Sequence, residues 1–422
     1  MSSLSFTVLF VVFLAVSLLL RFWLASRHIR HIMAHSDAVP AQFADKIPLK
    51  AHQRAAAYSI AKTKFAVFVA ILNAAVLIGF TLLGGLQWLS DNLLFAFGPG
   101  WRYQLGLVLS FILISGVVEL PFDYFRQFVL EARFGFNRMS PRLFFTDLMK
   151  SSVFSIAFAM ILVGITLFLM KKTGDFWWLY AWLVWCGFQM VMLVAVPLFI
   201  APLFNKFKPL EDESLKSRIE NLMQRVGFAA NGLFVMDGSK RSAHGNAYFS
   251  GFGASKRIVF FDTLLERLTP AEVEAVMAHE LGHFKLKHIT KRIVFMFIAS
   301  LGFLALLGFL KTQTWFYTGL GLQPIMDAAN PSINDAAALI LFALVLPVFS
   351  FVFSPLTSLS SRKHEFEADA FAVEHTNAPD LVSALVKLYE DNASTLTPDP
   401  LHSAFYDSHP PATVRIGKLL AQ

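Results

Sequence analysis

About seven stretches of this chain are apolar for long enough to cross a bilayer, which limits the fold before any motif is read. A spanning helix needs about 20 consecutive apolar residues, because in hydrocarbon it must satisfy its own backbone hydrogen bonds. The segments are Leu4–Leu24, Phe65–Leu89, Tyr103–Leu120, Ser152–Met170, Trp177–Leu203, Ile293–Leu310 and Ala336–Leu356. Charged residues make up only 15% of the 422, against about 25% in soluble domains, so polar surface is too scarce to cover a water-soluble body. The expected fold is predominantly α, a polytopic membrane protein with about seven transmembrane helices.

Charge placement gives an orientation. No Lys or Arg precedes the first segment, and Arg21, Arg27 and Arg30 follow it, so it reads as a retained helix rather than a signal peptide. Positive residues crowd the first-to-second connection (Lys46, Lys50, Arg54, Lys62, Lys64) and the third-to-fourth (Arg126, Arg133, Arg138, Arg142, Lys150). The alternate loops hold fewer, Lys171 and Lys172 being the exception. Positive loops stay cytoplasmic, which predicts an outside N-terminus and a cytoplasmic C-terminus. The expected location is the cell (inner) membrane of a bacterium or the endoplasmic reticulum membrane of a eukaryote; the chain ends without a K-D-E-L-type address. The net charge of +7 is accounted for by these loops, and no basic run with interleaved aromatics points to a nucleic-acid partner. The single cysteine, Cys186, excludes an intrachain disulfide and a cysteine-based metal site.

Two polar regions divide the chain into membrane helices with cytoplasmic loops (1–204), a catalytic region (205–292), two further membrane helices (293–357) and a C-terminal catalytic region (358–422). The first polar region opens with an amphipathic helical pattern, Glu211–Val226. Short β-prone runs follow at Gly232–Met236, Ala247–Phe252 and Arg257–Phe261, punctuated by glycines. Thr269, Pro270 and Glu272 then form an N-cap, first-turn proline and capping box for a helix running on toward the sixth span.

That helix carries His279-Glu280-Leu281-Gly282-His283. Residues i and i+4 share a helix face, so the two imidazoles can bind one tetrahedral Zn²⁺. Glu280 lies about 100° around the helix, placed to take a proton from a metal-bound water rather than to bind the metal. This is the logic of a zincin, and the expected fold therefore includes a zincin-like catalytic domain with a small β element. A third protein ligand is required. Beyond the seventh span, Ser361–Ala370 offers His364, Glu365 and Glu367, and the pattern leaves the choice open. Asp369, at i+4 from Glu365, is placed to hydrogen-bond a ligand histidine. The hairpin of spans six and seven returns all these candidates to one side of the membrane.

These residues resemble the type I CAAX prenyl protease family, membrane zinc endopeptidases of the gluzincin type. The matching stretches are Phe128–Asn137, Ile200–Leu210, Gly245–Leu265, Ala278–His288, Ser361–Ala372 and His409–Arg415, so the resemblance covers nearly the whole chain. It implies that Glu365 is the third ligand of one zinc per chain, with Glu280 as the base. It further implies that Asn246 aligns the substrate backbone and that His409 and Arg415 contact substrate or stabilise the oxyanion. The family fold implies a water-filled chamber among the spans, which Glu119 and Asn73 would face unless they pack against neighbouring helices. An extended substrate can add to a strand edge, and Ala247–Phe252, including Ala247 and Tyr248, is the expected place.

The expected function is zinc-dependent endopeptidase action on a peptide or protein substrate, near the C-terminus of isoprenylated CAAX proteins. The alternatives are a membrane quality-control protease of broad specificity, an intramembrane site-two-type protease, and a transporter or receptor with an incidental motif. The charged residues Glu272, Glu274, Lys285 and Lys287 around the motif argue against its burial in lipid.

Overall fold

The structure is a computed structural model that describes residues 1–250, 256–326 and 332–421. Among the described residues, seven helices are long and apolar enough to cross a membrane: Ser3–Ala34, Leu49–Phe80, Trp101–Glu131, Pro141–Lys172, Gly174–Phe204, His288–Leu310 and Asp335–His375. Each overlaps an expected segment and several extend about ten residues beyond it; the second and the seventh depart most. The second begins at Leu49 and ends at Phe80 instead of running from Phe65 to Leu89. Hydropathy continues through this stretch, but a turn at Thr81–Gly84 interrupts it, with Gly84 at φ 76°. The chain re-enters a helix at Gly85, where a β-carbon would lie 2.6 Å from the Gly79 carbonyl oxygen. The last span continues through a 3₁₀ turn at Phe351–Phe353 into a helix ending at His375.

The polar regions assemble on one another. Strands β1 (Phe207–Pro209), β2 (Leu233–Met236), β3 (Ala247–Ser250) and β4 (Arg257–Phe261) form one sheet in the order β1-β2-β4-β3. The β2–β4 pair is parallel, and the two outer pairs are antiparallel. The helix at Glu213–Arg225 is capped by the Asp212 carboxylate. The motif helix, Pro270–Lys285, starts with the expected capping box between Thr269 and Glu272. It does not run on into the sixth span. Lys287 adopts a left-handed φ of 57°, and a separate helix begins at His288.

The motif helix packs between the sheet, the ligand helix (Ser354–His375) and the helix Ala378–Asp391. Ile219, Leu222, Phe260, Ala278, Leu281, Leu385 and Ile416 form the core of this part. A second core, with Phe10, Leu107, Trp177 and Leu341, joins the membrane helices. Asn73 and Glu119 are exposed rather than packed against neighbouring helices.

Candidate metal centre and active site

Helical periodicity brings the ligands together. His279 and His283, one turn apart on the motif helix, present Nε2 atoms 3.2 Å from each other. Glu365 of the ligand helix brings Oε1 to 3.3 Å from His283 Nε2 and Oε2 to 3.5 Å from His279 Nε2. One ligating atom from each residue lies within 4.8 Å of the others. Donors bound to zinc at about 2.0–2.2 Å in a tetrahedron sit roughly 3.3 Å apart, so the spacing fits. Glu365 Oε2 is buried without a hydrogen-bond partner. Its nearest charged neighbours, Arg415 Nη1 at 3.4 Å and His279 Nε2 at 3.5 Å, make no hydrogen bond to it, and a cation between it and the two imidazoles would use the lone pair left free.

The two helices approach closely because small residues line their contact. Gly282, inside the motif, lies against Ala368, where an added β-carbon would sit 3.0 Å from the Ala368 Cα. Behind the ligands, His279 Nδ1 lies 2.8 Å from Asp369 Oδ1. Asp369 in turn receives two hydrogen bonds from Arg415, from Nε at 2.6 Å and Nη2 at 2.7 Å. The fork is planar and matches a carboxylate in a way lysine cannot. Burial alone would lower the Arg415 pKa, but Asp369 outweighs it and holds the guanidinium above its usual value. Arg415 Nη1 remains 3.4 Å from Glu365 Oε2.

The front of the site is a cavity of about 330 Å³ lined by Asn246, Ala247, Glu280, Tyr389 and His409 together with His279 and Glu365. His409 is exposed to it, with Nε2 3.5 Å from Glu365 Oε1. Desolvation in the cleft lowers the His409 pKa, Glu365 opposes this, and Arg415 adds to the lowering. Burial raises the Tyr389 hydroxyl. The structure therefore gathers nearly all the residues singled out from the sequence. Tyr248 is the exception: it follows Ala247 in β3 and points to the other face, toward Met236. Residues 251–255, which include part of the expected substrate strand, lie outside the described residues.

Sequence reasoning did not assign Tyr389 or Asn392, which line the cavity from the Ala378–Asp391 helix and just after it. Nothing in their spacing signals it. His288 was visible only as the end of the matching stretch Ala278–His288.

Residues 209–422 match the model of peptidase family M48, and residues 28–206 match that of the CAAX prenyl protease N-terminal region, five membrane helices. The chain belongs to peptidase family M48. Its relatives include CAAX prenyl protease 1 of Saccharomyces cerevisiae, 34% identical over 402 residues, covering 90% of this chain and 88% of the yeast protein. The Arabidopsis thaliana homologue of that protease is 37% identical, covering 86% of each chain. A crystal structure of S. mikatae Ste24p superposes with a TM-score of 0.90 at 31% identity, covering 98% of this chain and 99% of that one.

As an M48 peptidase with seven apolar helices, the chain is a multi-pass membrane metalloprotease acting on peptide or protein substrates. The family thereby rules out a transporter or receptor with an incidental motif. The motif helix lies outside all seven spans, unlike the site of an intramembrane protease.

Proposed function

We propose that this M48 peptidase is a zinc endopeptidase that cleaves near the C-terminus of isoprenylated CAAX proteins, with one zinc on His279, His283 and Glu365. The observation that carries the metal assignment is the orphan oxygen of Glu365 facing two converging imidazoles. The names of the relatives support the substrate class. The positive loops support an active site on the cytoplasmic side.

Held by His279, His283 and Glu365, a zinc ion would supply Lewis-acid polarisation of the scissile carbonyl and would lower the pKa of the attacking water toward about 7. The residues of the chain do the rest. An extended substrate lies along β3, the last strand of the sheet, its backbone held at Ala247 and aligned by Asn246. Glu280 takes the proton from the attacking water as the carbon–oxygen bond forms, then gives it to the leaving nitrogen as the carbon–nitrogen bond breaks. His409, exposed in the cavity, donates to the oxyanion. Arg415 acts from behind, holding Asp369 and adding positive charge next to Glu365.

The test compares wild type with Glu280→Ala in detergent on a farnesylated CAAX peptide and its unprenylated twin. Near-stoichiometric zinc in both proteins, with cleavage of the farnesylated peptide by wild type alone, is the expected result. Equal cleavage of both peptides would replace the CAAX assignment by general peptide processing. A well-folded wild type without zinc would overturn the metal assignment.

A further inference from the structure

The left-handed turn at Lys287 swings His288 back beneath the metal site, where it is buried. Its Nδ1 lies 3.1 Å from His283 Nδ1, and its Nε2 lies 2.9 Å from Glu367 Oε2. The His364 ring stacks on it, 4.1 Å between centroids and 13° from parallel. Glu365 and Glu367 are two residues apart on the ligand helix, so they face different ways: Glu365 toward His279 and His283, Glu367 toward His288.

Counting protons fixes the direction of this chain of contacts. A neutral imidazole carries one N–H, and a hydrogen bond between two ring nitrogens needs one donor and one acceptor. His283 turns Nε2 to the metal position, so its proton sits on Nδ1 and is donated to His288 Nδ1. His288 must then carry its own proton on Nε2, which it donates to Glu367. Each nitrogen has one consistent role, and the chain ends on a carboxylate.

The geometry points to Glu367 and His288 as positioning residues that fix the tautomer and ring orientation of His283 and strengthen it as a donor to the metal. This rests on the zinc reading of His279, His283 and Glu365. It parallels the Asp369–His279 contact on the other histidine but is built differently, through a second imidazole. The same proton count rejects a competing reading. His288, His364 and Glu367 also offer three ligating atoms within 4.8 Å of one another. A second ion on His288 Nε2 would force its proton onto Nδ1, setting two N–H groups against each other 3.1 Å apart.

The test measures zinc affinity of the full-length protein by chelator competition, with metal analysis after dialysis. His288→Ala is expected to bind zinc 10- to 100-fold more weakly, the usual loss for such a supporting contact. His288→Asn, whose side-chain oxygen falls near the position of Nδ1, restores an acceptor and should stay within a few-fold of wild type. Glu367→Ala should weaken binding about tenfold, and Glu367→Gln, which keeps an acceptor, less. Wild-type affinity in His288→Ala, while Glu365→Gln abolishes binding, would overturn the relay and leave the zinc site standing. Equal loss in His288→Ala and His288→Asn would reduce His288 to a packing role and overturn it as well. A second zinc equivalent that disappears in His364→Ala would also overturn it. Absence of zinc from the wild type would instead remove the site on which the relay depends.

Discussion

Gly282 and Ala368 touch across the two helices of the metal site with no room for another carbon: a β-carbon on Gly282 would sit 3.0 Å from the Ala368 Cα, 3.1 Å from the Phe371 Cβ and 3.2 Å from the Ala368 carbonyl oxygen. Two of these neighbours are backbone atoms, so the strain cannot be relieved by a rotamer change. Because His283 and Glu365 ride on the two helices, their separation follows that contact.

Gly282→Ala should therefore cost zinc affinity more than it costs fold. Overpacking a core contact destabilises by about 1–3 kcal/mol, while alanine recovers up to about 1 kcal/mol of helix propensity relative to glycine. Thermal unfolding should shift by only a few degrees, while chelator competition shows zinc held at least tenfold more weakly. Unchanged affinity would mean that the helices separate without moving the ligands.

Arg415 and Asp369 should behave as one unit. Arg415→Lys keeps the charge and loses the fork, so zinc affinity should fall about tenfold. Asp369→Asn should fall by a similar factor. The double variant should lose much less than the product, since each change already breaks the same contact. Additive losses in a double-mutant cycle would show that the two residues act separately.

The edge strand offers a sharper substitution. Phe261 N–H donates to the Asn246 carbonyl, and Tyr248 pairs with Val259, so the intervening Ala247 turns its N–H away from β4. That N–H is held 2.8 Å from Asn246's own side-chain oxygen. Ala247→Pro removes it without removing a donor to the sheet. KM should rise several-fold, the worth of one hydrogen bond, with kcat less affected. An unchanged KM would place the substrate elsewhere.

Glu272 gives an acid limit to the catalytic part. Burial alone would raise its pKa, but Lys387, Ser383 and the Thr269 N–H all bond its carboxylate and hold it below the usual value of 4.5. A carboxyl lowered by folding adds stability above that unfolded value and loses it as pH falls through the folded one. The melting temperature of wild type should therefore exceed that of Glu272→Gln above about pH 5, and the gap should close as the pH falls below 4.5. A gap independent of pH would mean that Glu272 acts through packing alone.

The sequence made local geometry legible. The His279–His283 spacing, the Thr269 capping box and seven apolar runs each follow from a short-range rule, and all are present. What it concealed depends on residues far apart in the chain. His288 meets Glu367 across 79 positions, and no periodicity links them. The turn at Thr81–Gly84 was hidden because hydropathy reports burial in lipid and is blind to a left-handed glycine inside an apolar run. The continuation of the last span through a 3₁₀ turn into the ligand helix is hidden for a related reason. Polar composition after Leu356 reads as a new region, yet a helix can leave the bilayer without ending.

That continuity gives the metal site two unlike attachments to the lipid. Glu365 sits on the same 41-residue helical run that crosses the membrane as the seventh span. His279 and His283 reach their span only through the bend at Lys287. One ligand is mounted on a lever and the other two on a swivel. The contact of Gly282 with Ala368 is where these two attachments are held in register.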